Sequence, residues 1–124
     1  MKVHGIANCD TVRKARAWLD ARGVGYEWVD FRKAPPSPGD LARWSRAAGW
    51  QALLNRRGTT WRSLDDAARA RVVDEPSAVA LMAERPALVK RPVIEDGDDV
   101  IVGFAEATYA ARFDRDRAPP RRAP

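Results

Sequence analysis

An α/β fold is predicted by three features of this 124-residue chain. A short apolar run near the start is followed by a stretch of helical periodicity, and then by a second apolar run. Two further apolar runs near the end are joined by Asp96-Gly97, a dipeptide that favours a tight hairpin turn. Between these ends lies a long, broken stretch of helical pattern.

Each element carries its own signals. Lys2 to Ile6 reads as a strand. From Thr11 onward, Val12, Ala15, Trp18 and Leu19 recur at helical spacing, with Arg13, Lys14, Arg16 and Asp20 on the opposite face. Gly23 is placed to end that helix as its C′ residue. "VGYEWVDF" alternates Val24, Tyr26 and Trp28 with smaller or polar residues, the pattern of a second strand. After the loop "RKAPPSPGD", Ser37 is the expected N-cap, with Pro38 at the first helical position and Asp40 closing a capping box. Leu41, Trp44 and Ala48 share a face of that helix, which Gly49 ends. "WQALLN" is a second helical piece, Gly58 and two threonines a turn, "SLDDAARARVV" a third piece and "PSAVALMAE" a fourth, ended by Pro86. "RPVIE" and "DVIVGF" form the hairpin, and "AEATYAARF" a last helix.

The predicted order is therefore β-α-β, an insert of about four short helices over residues 37–85, then β-β-α. A β-α-β unit brings parallel strands and a right-handed crossover. Closing such a sheet with a hairpin and helix gives a thioredoxin-like arrangement with an inserted α-helical subdomain, a single domain over residues 1–114. Residues 115–124, rich in Pro and Arg, are expected to form a disordered basic tail.

Composition narrows the function classes. The net charge is +5, but residues 112–124 hold five arginines against two aspartates, a net +3 that leaves only +2 for the body. No nucleic-acid partner is expected from so dispersed a charge. No apolar run approaches the roughly 20 residues that span a bilayer, so no membrane association is expected. The start "MKVHGIANCD" lacks the apolar core of a signal peptide, pointing to a cytoplasmic protein, and a monomer is expected. A single cysteine excludes an internal disulfide, and the chain offers no zinc ligand set.

That cysteine, Cys9, lies between the first strand and first helix, at the carboxyl edge of the sheet where ligands commonly bind. Free N–H groups and the helix dipole there favour a thiolate. Asp10, an adjacent anion, opposes it. No partner stands at the second position of a Cys-x-x-Cys motif, where the chain has Val12. A redox role for Cys9 therefore requires a resolving thiol from outside, most simply glutathione. Glutathione carries two carboxylates, which directs attention to Arg56, Arg57 and Arg62 in "LLNRRGTTWR" and to Lys90 and Arg91 in "LVKRPVIE". Arg91-Pro92, entering a strand, is a candidate cis peptide bond. His4, the one histidine, either tunes Cys9 or packs in the core. Thr11 either contacts a bound anion or satisfies a helix N–H.

The segments "GIANCDTVRKARAWLD", "GWQALLNRRGTTWR" and "ALVKRPVI" resemble the arsenate-reductase-like (ArsC/Spx) family, in particular its YffB-type branch of single-cysteine proteins. The resemblance covers about Lys2 to Phe113. It implies a thioredoxin-like fold with a helical insert, and Cys9 as the nucleophile. Arg91 matches the arginine of the oxyanion site, beside the cis-proline Pro92, and Arg57 a basic position in the insert, where the arsenate reductases' own arginine aligns nearer Asn55. Asn8, just before Cys9, and Thr11, two residues after it, join these as candidate binding residues by position. A third arsenate-site arginine is absent from the final hairpin, which reads "IVGFAE". The resemblance thus implies a glutathione-dependent thiol–disulfide reductase, with glutathione as co-substrate, no bound cofactor and glutaredoxin as a further candidate partner. Its substrate would be a small-molecule or protein disulfide. Arsenate reduction is the alternative activity. A Spx-like RNA polymerase-binding regulator, or another non-catalytic interaction protein, is the alternative of a different class.

Overall fold

The computed structural model describes residues 1–114; the expected basic tail lies outside them. Four strands form one mixed sheet: β1 (Lys2–Gly5), β2 (Glu27–Asp30), β3 (Val93–Asp96) and β4 (Asp99–Val102), in the order β2-β1-β3-β4. β1 and β2 are parallel, while β3 is antiparallel to both β1 and β4. The helix α1 (Asp10–Ala21) makes the parallel crossover. α7 (Glu106–Tyr109) runs into a π-helical turn over Ala110–Asp114. This is the thioredoxin-like α/β order expected.

The sheet buries both faces, and its period-2 alternation decides what each receives. Val3 and Ile94, paired across β1 and β3, point to a core with Ala15, Trp18, Leu19, Tyr109 and Phe113. His4 and its neighbour Val93 belong to the opposite face, where the insert packs. α1 approaches β1 closely: a Cβ on Gly5 would lie 2.9 Å from Val12 Cγ2. Gly23 takes the left-handed C′ position expected, with φ +67°.

The insert holds α2 (Pro38–Ala48), α3 (Trp50–Leu53), α4 (Thr59–Ser63), α5 (Asp66–Ala70) and α6 (Glu75–Glu84). Five helices thus replace the four expected. The Gly58-Thr-Thr segment is not a plain turn: Gly58 is the N-cap of α4, and both threonines lie inside it. Their β-branched side chains argue against helix locally, but Trp61 packs against the insert core and overrides that preference. The capping box of Ser37 and Asp40 is formed in both directions. α6 starts one residue before Pro76, because Asp74 caps it in a second box with Ser77. Leu41, Trp44, Leu53, Leu54, Met82 and Leu88 are almost wholly buried. At about 1.5–3 kcal/mol for each large apolar side chain, they fasten the insert to the sheet.

One contact fixes where the insert meets the sheet. Leu54 and Val89 form an isolated antiparallel bridge. Beside it, Asn55 N–H donates to the Leu88 carbonyl and Lys90 N–H to the Leu53 carbonyl, each at 2.8 Å. The residues after Leu54 are thereby held against those leading into β3.

Candidate active site around Cys9

Cys9 is the N-cap of α1, with extended backbone (φ −110°, ψ 127°), and its carbonyl accepts the Arg13 N–H at 2.9 Å. Its sulfur lies over the free N–H groups of the first turn. Partial burial raises the thiol's pKa, but hydrogen bonds from Val12 N–H, the Arg91 guanidinium and Thr11 N–H outweigh it, with help from the Arg91 charge. The net result is a thiol more acidic than usual. Asp10 does not oppose this as expected. Its side chain is 82% exposed and turned to Arg13, with which it forms an ion pair.

Cys9 opens into a pocket of about 420 Å³, lined in part by Thr11, Asn55, Arg57, Lys90, Arg91, Gly103 and Phe104. Three cations and no carboxylate face it. The bridge at Leu54 explains how Arg57, 48 positions from Cys9 in the chain, comes to be here. The Asn55 side chain then accepts the Arg57 N–H at 3.0 Å and shapes the turn that presents it. Opposite, Gly103 adopts φ +81°, in the left-handed region that favours glycine. Its N–H donates to the Pro92 carbonyl (2.8 Å), and its own carbonyl accepts the buried Tyr109 hydroxyl (2.7 Å). This wall is therefore held by two bonds.

Of the residues singled out from the sequence, Cys9, Thr11, Arg57 and Arg91 meet in this pocket. The Arg91-Pro92 bond is cis. Pro92 is buried behind the lining rather than on it, and Arg91 Nε is buried with no hydrogen-bond partner. Asn8 is not among the lining residues. It is exposed and its Oδ1 accepts from Arg32 at 2.8 Å. His4 is a packing residue on the far side, hydrogen-bonded to Glu95 at 2.8 Å and set edge-on to Trp44. Sequence reasoning missed the walls at Gly103 and Phe104. A glycine directly after a hairpin strand was the one local signal for the first of them.

The arrangement suits an acidified thiol attacking a sulfur that carries anionic groups. Among the described residues, no three His, Cys, Asp or Glu side chains are placed to share a metal. None of the helices among the described residues is long and apolar enough to cross a membrane.

Comparison with known proteins gives the chain's relatives. The ArsC family model matches residues 4–112. A solved YffB protein is 44% identical, covering 89% of this chain and 96% of its own, with a TM-score of 0.84. An arsenate reductase (ArsC) related protein from Brucella melitensis is 43% identical over 90% of this chain and 92% of its own, with a TM-score of 0.71. The global transcriptional regulator Spx of Streptococcus mutans is 29% identical over 114 residues, spanning 88% of this chain and 80% of the regulator.

Proposed function

This chain belongs to the ArsC family, and from that premise we propose that it is a cytoplasmic glutathione-dependent thiol–disulfide reductase acting through Cys9. The observation that carries the reading is the pairing of one acidified thiol with a pocket whose charged side chains are all cations. The Cys9 thiolate attacks one sulfur of a substrate disulfide. A Cys9–S–S–R bond forms, the substrate S–S bond breaks, and the second sulfur leaves with the electron pair as a thiolate that takes up a proton. No other cysteine exists in the chain, so glutathione thiolate attacks the mixed disulfide and regenerates Cys9. Arg91 stabilises the Cys9 thiolate and binds a carboxylate of the incoming molecule. Arg57 and Lys90 hold its other anionic groups. Glutaredoxin is a candidate second reductant, and the monomer is the working unit.

Two family activities fit less well. For arsenate, the pocket side that would carry a third arginine is built from Val102, Gly103, Phe104 and Ala105. For a Cys-x-x-Cys redox switch, the second position is Val12, fully buried against β1.

Mass spectrometry after treatment with oxidised glutathione tests the reading. One glutathione adduct on Cys9, removed by reduced glutathione, is the expected result. No adduct on the folded protein at a concentration that modifies free cysteine would refute it.

A further inference from the structure

Among the described residues, five basic side chains pair with a carboxylate and thirteen do not. The five are Arg13, Arg22, Arg43, Arg69 and Arg112. Of the thirteen, Arg56, Arg57, Arg62, Lys90 and Arg91 belong to the two segments that build the Cys9 pocket, and the other eight stand elsewhere in the chain. Arg57, Lys90 and Arg91 line the pocket. Arg56 and Arg62 do not: Arg56 stands next to Arg57 in the turn between α3 and α4 and Arg62 in the last turn of α4, both exposed to solvent.

This outer pair is held in place by contacts other than ionic ones. The Arg56 guanidinium lies over the rings of Trp50 and Trp61, at 5.3 and 6.0 Å from their centroids. Arg62 donates to the Arg57 carbonyl. A guanidinium already fixed on aromatic rings loses little freedom on binding, and the half-exposed tryptophan edges add apolar contact. Trp and Arg are the residue types that anchor protein interfaces.

We propose that the α3–α4 turn is a docking surface for an acidic polypeptide segment, continuous with the cysteine whose disulfide Cys9 attacks. Its catalytic consequence rests on the reductase reading above. A molecule confined to the 420 Å³ pocket would not need Arg56 or Arg62. A chain leaving the pocket toward the insert meets both, and the uncompensated charge there selects carboxylates. A nucleic acid would satisfy the charge but brings no sulfur to Cys9.

The test uses decapeptides with one central cysteine joined to glutathione, flanked by Glu and Asp or by Lys, alongside neutral hydroxyethyl disulfide. At about 20 mM salt the acidic peptide should react about tenfold faster than the basic one. This gap should shrink near 0.5 M salt, where the screening length falls toward roughly 4 Å. In Arg56→Glu and in Arg62→Glu the preference should fall or invert, with the rate toward neutral hydroxyethyl disulfide within twofold of wild type. A gain in rate with the basic peptide cannot arise from misfolding. Binding is read separately, by fluorescence anisotropy of labelled cysteine-to-serine peptides on the Cys9→Ser protein. Preferential capture of the acidic peptide, lost in either charge reversal, supports docking even if Cys9 fails to turn over, which would sink only the reductase reading. Equal binding of both peptides, or a preference that neither reversal alters, overturns the docking surface.

Discussion

Replacing Arg91 by alanine removes two things at once, and pH separates them. The first is support of the Cys9 thiolate, which Arg91 gives through a hydrogen bond and its charge. The second is the anchor for a carboxylate of the incoming disulfide. A hydrogen bond to a charged partner contributes about 1.5–3 kcal/mol, roughly ten- to a hundredfold in rate. Cys9 is only partly buried, so solvent screening puts the thiolate effect at the low end of that range. The assay is the second-order rate constant of Cys9 with oxidised glutathione and with neutral hydroxyethyl disulfide, measured from pH 5 to 10. Loss of thiolate support moves the midpoint of both profiles upward and slows both reagents alike at pH 7. Loss of the anchor slows oxidised glutathione alone, by a further tenfold or more, and persists on the plateau where the thiolate is fully formed. Arg91→Lys should recover most of the midpoint shift and only part of the anchoring, since ammonium lacks the paired donors. Equal plateau rates for the alanine variant and wild type with oxidised glutathione would remove Arg91 from the binding site.

Three further outcomes follow from the same contacts. Burial lowers the His4 pKa despite its bond to Glu95, so the unfolded chain takes up the proton first. Stability should fall as pH drops through about 6.5, and His4→Ala should flatten that segment of the thermal-melt profile; a slope that persists in the variant would show that another group carries it. A Cβ at residue 58 would come within 2.9 Å of Asn55 Nδ2. Gly58→Ala should therefore shift the turn presenting Arg57 and slow oxidised glutathione several-fold more than hydroxyethyl disulfide; an unchanged ratio means that Asn55 does not position Arg57. Tyr109→Phe leaves the buried Gly103 carbonyl without its 2.7 Å donor. Denaturant titration should report a loss of about 1–3 kcal/mol, and no loss would show that the carbonyl finds another partner.

Local signals carried most of the fold. The spacing of Val12, Ala15, Trp18 and Leu19, the Ser37 capping box and the Asp96-Gly97 turn each reported an element that forms as read. α4 was illegible because a glycine followed by two threonines is a poor helix signal, and what holds the threonines in a helix is the packing of α4's own Trp61 against core residues from elsewhere in the insert. The site divides the same way. Cys9 and Arg91 were legible from their places at a helix start and a strand entry. Asn8 looked like a site residue through adjacency to Cys9, yet the strand–helix loop leaves it to Arg32. His4 took its role from Glu95, 91 positions away. The convergence of Asn55, Arg57 and Gly103 depends on the bridge at Leu54 and Val89, a long-range pairing without a sequence signature.

That bridge also divides the labour of the pocket between two inheritable parts. Thiol, Arg91 and the Gly103 wall all belong to the sheet and its helices, whereas Asn55 and Arg57 reach the pocket solely through the insert. Substitutions in the segment from 37 to 85 can thus retune which molecules are admitted while the reactive sulfur keeps its surroundings. Drift in the insert changes the clientele and spares the chemistry. A chimera carrying another relative's insert, joined at this seam, would be expected to keep the acidity of Cys9 and acquire the donor's selectivity.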